Sequence, residues 1–215
     1  YKAGDADFHS IVADMADIKR TQAKTINLGL FYGMGKAKLQ AELGLSTRNE
    51  AENLFNKYHD NVPFVKELMN QTSNLVQKSG FIRTLLNRKC RFDKWELSEW
   101  NNGKFTAPMS KPDAEAAYME KYPDAKGPKI RRAMAYKALN KLIQGSAADM
   151  TKKAMLDLYK EGIVPHIQIH DELDISVESN EQAKKIIEIM ENAVTLAVPN
   201  KVDYESGKNW GEING

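Results

Sequence analysis

The 215 residues are 42% hydrophobic, enough for a real core, and carry a formal net charge of +2 and one cysteine, Cys90. Chains of this length form one large domain or two small ones, and a single cysteine excludes an intrachain disulfide, so a reducing compartment is expected. No apolar run is long enough to span a bilayer and the opening YKAGDADFHS lacks a signal-peptide pattern, so the expectation is a cytoplasmic protein without a membrane partner. The near-neutral balance leaves any case for a polyanionic partner to local clusters. The start at Tyr1 instead of Met suggests a processed, excised or incomplete polypeptide.

In chain order, helices come first. Asp14 or Asp17 is placed to cap an opening helix that stops near Gly33. Within RTQAKTINLGLFYG, steps of four residues drift by about 40°, so Arg20, Lys24, Leu28 and Tyr32 share an arc of about 120°, joined by Asn27 and Phe31. Ala23, Ile26 and Leu30 fall on the other side as an apolar stripe suited to a core. The helix reads as having a buried face and a working face, the latter cationic at one end and aromatic at the other. Two basic residues one turn apart are also the pattern of an ordinary solvated face.

A short helix follows to Gly44, and Thr47 with Glu50 forms a capping-box pattern before AENLFNKYH. Pro63 suits the first turn of a helix running to about Lys78. GFIRTLLNRKCRF changes period and predicts two short strands around Asn87-Arg88. Residues 93–128, with Pro108, Pro112, Pro123 and mixed charge, read as an insertion with a short helix near DAEAAYMEKY. Ile130 to Glu161 predicts a long helical region, kinked or broken near Gly145-Ser146. Ser179 with Gln182 caps a last helix toward Ala197.

Before that last helix lies HIQIHDELDISV. Ile167 and Ile169, then Leu173, Ile175 and Val177, alternate with polar residues, which predicts two half-buried strands flanking His170-Asp171-Glu172. Tight hairpins favour Gly because their central residues need positive φ, yet this turn has none and sets two carboxylates side by side. A bound divalent cation relieves the repulsion between adjacent carboxylates. The segment alone is equally a solvated acidic hairpin tip, because an oxygen-ligand metal site needs more than one short motif.

Together the two segments carry a resemblance. RTQAKTINLGLFYG resembles the B motif of family A DNA polymerases, and HDE at a hairpin resembles the C motif of that family. DFH ahead of the first motif, GFIRTLLNRK in the middle, NKLIQGSAAD before the second and SGKNW near the end add matches. The resemblance covers nearly the whole chain except residues 93–128, which resemble phage-type members more than bacterial ones.

The resemblance implies an α+β fold: a helical fingers subdomain over residues 1–80, then the C-terminal part of a palm with a small antiparallel sheet over 81–215. It implies template-directed addition of deoxynucleotides to a primer, with two Mg2+ ions stabilising the attacking and leaving oxygens. Asp171 maps onto a metal ligand and catalytic carboxylate, with Glu172 an adjacent contributor and His170 near the primer terminus. Arg20 and Lys24 map onto triphosphate-binding cations, Lys24 also as a proton donor to the leaving pyrophosphate, and His9 onto a further phosphate contact. Tyr32 maps onto the aromatic residue that stacks near the templating base. Leu28 stands where the family commonly has Phe or Tyr facing the incoming sugar, so sugar discrimination is in question. Asn140 and Gln144 map onto residues that hydrogen-bond the template or primer. Tyr136 stands where an Arg is expected, and Arg131, Arg132, Lys137 and Lys141 are candidates for added phosphate contacts or for keeping a helix soluble.

The partners implied are primer-template DNA, deoxynucleoside triphosphates and an upstream segment bearing the thumb and the A-motif aspartate. That segment is expected because no strand like DYSQIE occurs in the chain, and the chain alone is expected to be inactive. Three rival readings stand beside this one: a single-subunit RNA polymerase relative, whose C motif usually has Ser where Glu172 stands; a complementing or nucleic-acid-binding subunit without chemistry of its own; and an unrelated helical interaction domain.

Overall fold

A computed structural model of the chain describes residues 7–16, 18–31, 34–99 and 106–213. Five helices lead: α1 (Phe8–Ala16), α2 (Arg20–Phe31), α3 (Lys36–Leu43), α4 (Arg48–Asn61) and α5 (Pro63–Ser79). The hairpin β1 (Phe81–Arg83) and β2 (Lys89–Arg91) comes next, then β3 (Trp95–Leu97), α6 (Lys111–Lys121), β4 (Ile130–Arg132) and a 3-10 turn at Ala135–Lys137. The rest is α7 (Ala138–Lys160), β5 (Ile167–Ile169), β6 (Glu172–Asp174), α8 (Asn180–Asn192) and α9 (Trp210–Ile213). The class is α+β, with three separate two-stranded antiparallel sheets among the described residues. Asp7–Ile143 form one compact unit and residues 144–213 another. Among the described residues no helix is long and apolar enough to cross a membrane.

Local chemistry sets the helix ends. Thr47 Oγ1 accepts the Glu50 amide at 3.2 Å while the Glu50 carboxylate accepts the Thr47 amide at 3.4 Å, a complete capping box for α4. Pro63 opens α5, where its missing N–H costs nothing. Gly44 closes α3 at φ +62°. The first core joins Val12 and Ala13 of α1, Ala23 and Ile26 of α2, Leu39 of α3 and Tyr58 of α4 to Val62 and Val65. Asp14 lies inside α1, not at a cap, and Asp17 lies outside the described residues. The chain therefore places a separate helix ahead of α2, where a single opening helix is predicted.

A second core joins Val76 of α5 to Ile82, Phe92, Ala135 and Ala138, so the first unit continues across residue 80. Gly80 makes the turn at φ +78°, and a Cβ there would lie 2.7 Å from the Arg132 guanidinium. That guanidinium stacks on Trp95 with its carbon 4.5 Å from the ring centre and donates from Nη1 to the Phe92 carbonyl at 3.0 Å. Gln77 binds the Arg132 backbone twice, accepting its N–H at 2.8 Å and donating to its C=O at 3.0 Å.

The predicted hairpin around Asn87-Arg88 is present, with Phe81 paired to Arg91 and Asn87 at φ +68°. Residues 93–128 contain the predicted helix, α6, capped by Ser110, whose Oγ accepts the Asp113 amide at 3.2 Å. They also contribute β3, which pairs with β4 in the register Trp95 to Arg132. Ile130–Arg132 is thus a strand, not the start of a helix: β3 supplies the hydrogen-bond partners that helical turns would otherwise provide. The helix begins at Ala138 and runs through Gly145-Ser146 to Lys160 without the predicted break. One glycine weakens a helix by about 1 kcal/mol but removes no backbone hydrogen bond, so it does not force an end.

In the second unit, Ala154 and Leu158 of α7 and Ala183 and Ile186 of α8 are buried. Ser179 caps α8, its Oγ accepting the Gln182 amide at 3.2 Å, and the helix ends at Asn192, short of Ala197. Strands β5 and β6 form in the predicted segment, but β6 is Glu172–Asp174, so Glu172 joins the strand and Ile175 and Val177 lie beyond it; Leu173 and Ile175 are half-buried as expected, whereas Ile167, Ile169 and Val177 are exposed.

Candidate functional site

The face of α2 opposite its core residues is open. Ala23 and Ile26 are buried, whereas Arg20, Lys24 and Leu28 are exposed, Leu28 at 43%. Arg20 donates from Nε to Asp7 Oδ2 at 2.6 Å. Asp7 also accepts the Ser10 hydroxyl at 2.7 Å and the His9 backbone N–H at 3.0 Å. The Ser10 hydroxyl first, then the Arg20 guanidinium, hold the Asp7 carboxyl well below the usual carboxylate range. Lys24 makes no ion pair among the described residues. Tyr32 lies outside the described residues, as do the side chains of Leu30 and Phe31.

Asn27 is a correction. Predicted on the open face, it is 1% exposed and donates its amide to His9 Nδ1 at 3.0 Å. It sits one turn after Ala23 at the edge of the apolar stripe, so packing against α1 draws it inward. A donor on Nδ1 places the imidazole proton on Nε2.

Asn140 and Gln144 lie one turn apart on α7, Asn140 partly buried and Gln144 exposed. Tyr136 is 48% exposed just before the helix. The added cations divide. Arg131 is bound to buried Glu96, with Nε and Nη2 at 2.8 and 2.7 Å from one carboxylate oxygen, and Arg132 is held between Trp95 and Phe92. Each guanidinium thus has an intramolecular partner, and both residues are only partly exposed. Lys137 lies over Tyr136 at 5.7 Å and Lys141 over Phe92 at 4.6 Å.

The β1–β2 hairpin adds an exposed basic surface that sequence reading did not single out. Arg83 and Lys89 flank the Phe81 ring at 5.5 and 4.4 Å, beside exposed Leu85 and Leu86. Three basic residues in NRKCR carried the signal; the strand period drew attention away from it.

In the second unit, Ile169 pairs with Glu172, so His170 and Asp171 are the two residues of the turn and Glu172 opens β6. His170 adopts φ +53°, a left-handed conformation that costs a non-glycine residue energy, and its carbonyl accepts from Gln168 Nε2 at 2.6 Å. Asp171 and Glu172 are exposed, and their carboxylates have no hydrogen-bond or ion-pair partner among the described residues. Two unpartnered carboxylates on a strained tip are oxygen donors suited to a hard divalent cation. No group of three or more His, Cys, Asp or Glu side chains that could hold a metal occurs among the described residues.

The chain matches the model of DNA polymerase family A over residues 3–212, and it belongs to that family. It is 32% identical to a DNA-directed DNA polymerase of Pseudomonas phage M6, over 98% of this chain and 32% of that protein. It is 35% identical to DNA polymerase I of Borreliella burgdorferi, over 91% of this chain and 19% of that protein. Among solved structures it is similar to the POL domain of Pol1 from M. smegmatis in complex with DNA primer-template and dNTP. That match has a TM-score of 0.71 and 25% identity, covering 97% of this chain and 35% of the other. The chain thus spans about a third or less of the length of these relatives.

Proposed function

We propose that the chain is the C-terminal fingers and palm portion of a polymerase that carries out template-directed DNA synthesis, adding deoxynucleotides 5′ to 3′ to a primer. The observation that carries this reading is a family match spanning both motifs in a chain that leaves Arg20, Lys24, Leu28, Asp171 and Glu172 exposed. Residues 1–80 act as fingers and 81–215 as palm. The work takes place in the cytoplasm of a bacterial or phage-infected cell, a setting that the bacterial and phage relatives support.

The Arg20 fork and the Lys24 ammonium hold the triphosphate of a deoxynucleotide, and His9 donates from Nε2 to a phosphate oxygen. Lys24 also gives a proton to the leaving pyrophosphate, where charge develops during transfer. Leu28 meets the sugar and Tyr32 the base. Asn140 and Gln144 donate to the acceptors that every base pair offers in the minor groove, which tests pair shape without reading sequence. His170 lies near the primer terminus, and the basic β1–β2 hairpin meets the DNA backbone. Asp171, with Glu172 beside it, is the set that would hold Mg2+, which when bound neutralises charge on the transferring phosphoryl group.

In this reading the ligand set is split, and a segment with thumb and A-motif aspartate supplies the remaining carboxylate. Primer extension with magnesium and all four deoxynucleoside triphosphates tests the reading. Extension is expected when the chain is combined with that segment, and not from the chain alone or from an Asp171→Asn variant of the combination. Near-normal extension by Asp171→Asn would remove Asp171 from the metal site, and robust extension by the chain alone would overturn the split ligand set.

A further inference from the structure

One carboxylate ties the start of α1 to the start of α2. Asp7 Oδ1 accepts the His9 backbone amide, which caps α1, while Oδ2 accepts both the Ser10 hydroxyl and Arg20 Nε. An arginine held by Nε keeps both terminal Nη groups for a second ligand, and that pair matches phosphate oxygens in a bidentate way. No hydrogen bond from the Arg20 Nη groups occurs among the described residues. The same junction orients His9, whose ring is gripped by Asn27 through Nδ1.

Two effects oppose each other at such a carboxylate. It repels an incoming anion, and it fixes a long side chain that would otherwise lose rotamer freedom on binding. The Arg20 and Asp7 side chains are 59% and 39% exposed, so salt and water screen the repulsion and the ion pair alike, and the binding measurement below decides between anchoring and repulsion.

We infer that Asp7 is a positioning residue of the triphosphate-binding face: it holds Arg20 through Nε, keeps the Nη edge available to a nucleoside triphosphate, and couples that edge to His9 at the start of α1. The inference rests on the reading of α2 as the triphosphate-binding helix.

Titration of the chain with a deoxynucleoside triphosphate tests it, comparing wild type, Asp7→Asn, Asp7→Ala, Arg20→Ala and the Asp7→Asn/Arg20→Ala double variant. Asparagine is as good a helix cap as aspartate, so Asp7→Asn keeps the start of α1 while removing the charged anchor. Arg20→Ala is expected to weaken binding about tenfold and Asp7→Asn about three- to tenfold, with the double variant no weaker than Arg20→Ala alone. In the assembled polymerase the Asp7→Asn loss is expected in KM for the deoxynucleotide, with kcat changed less than about twofold.

A purely structural cap gives a different pattern: Asp7→Ala lowers the melting temperature, Asp7→Asn does nothing to binding, and the losses add. Wild-type or tighter binding by Asp7→Asn, or additive losses, would overturn the inference while leaving the nucleotide reading intact. Unchanged binding by Arg20→Ala overturns the nucleotide reading of this face, and the inference with it.

Discussion

Asn27 on α2 donates its side-chain amide to His9 Nδ1 on α1 at 3.0 Å, while its own amide oxygen, fully buried, has no hydrogen-bond partner among the described residues. A buried unsatisfied oxygen costs stability, so this side chain is kept at a loss that its grip on His9 explains. Leucine has the same branched shape and removes the orphan, but it is larger and must fit a fully buried site, so Asn27→Leu is compared with the smaller Asn27→Ala, and in both triphosphate binding is expected to weaken several-fold. Thermal melts and nucleotide titrations on the same samples check this, and wild-type binding by both variants would show that the grip on His9 has no part in nucleotide binding.

Gly80 and Gly44 both adopt left-handed backbone, at φ +78° and +62°, but only Gly80 has a neighbour in the way. A Cβ at Gly80 meets the Arg132 guanidinium at 2.7 Å, whereas at Gly44 nothing lies within 4 Å. Gly44→Ala is expected to cost about 1 kcal/mol, the ordinary price of the left-handed region. Gly80→Ala is expected to cost about 2–3 kcal/mol, because the stack of Arg132 on Trp95 must also shift. Urea unfolding of the two variants checks the order, and equal losses would mean that Arg132 gives way freely.

What the sequence disclosed, and what it hid, follows from how far apart the interacting residues lie. The caps at Thr47, Pro63 and Ser179 were legible because each involves residues within one turn, and the Asn87 turn because one hairpin contains it. The pairing of β3 with β4 was not: its strands are three residues long and Glu96 finds Arg131 across 35 positions. That pairing also gives Arg131 and Arg132 partners that no local pattern reveals. On α2, periodicity separated Ala23 and Ile26 from Arg20, Lys24 and Leu28, yet misjudged Asn27 at the border, where α1 decides. The Asp7 link to Arg20 is likewise tertiary, joining the start of α2 to the start of α1, a helix that precedes the one expected to be capped at Asp14 or Asp17.

Acid should act on the fold in two windows. Burial first, then the nearby Lys66 charge, pushes the His59 imidazole below its ordinary pKa of 6.5, with Asp60 opposing weakly. As pH falls through 6.5 the unfolded chain takes up a proton that folded His59 resists, so stability drops from there downward and is unaffected above. Asp7, Glu52, Glu99 and Asp157 have lowered pKa values, so their contribution is present above the ordinary carboxylate range and is lost only as pH falls through it. Stability is therefore expected to fall between pH 7 and pH 5 in the wild type and to stay flatter there in His59→Leu. Identical pH profiles for the two proteins would place the titrating group elsewhere.

Leu28 presents an aliphatic chain on the open face of α2. It can offer a deoxyribose neither a ring face nor a hydroxyl, so Leu28→Phe and Leu28→Tyr should change the ratio of dideoxy to deoxy incorporation more than they change DNA affinity. Competition assays in the assembled polymerase measure that ratio, and an unchanged ratio in both variants would put Leu28 outside the sugar pocket.

His170 holds φ +53° in a two-residue turn that a glycine would fill without strain. Histidine tolerates this region better than most side chains, but a Cβ there still costs about 1 kcal/mol relative to glycine. Glycine recovers that strain and gives back part of it through the freedom of its unfolded chain. Alanine keeps the strain and loses the imidazole. His170→Gly is therefore expected to match or exceed the wild type in stability and His170→Ala to fall about 1 kcal/mol below His170→Gly. Both are expected to slow primer extension, because the imidazole that the strained turn presents is gone from each. Melting temperatures and extension rates of the pair separate the two roles: if alanine is as stable as glycine, the turn is unstrained, and if glycine extends primers at the wild-type rate, the imidazole has no part in the reaction.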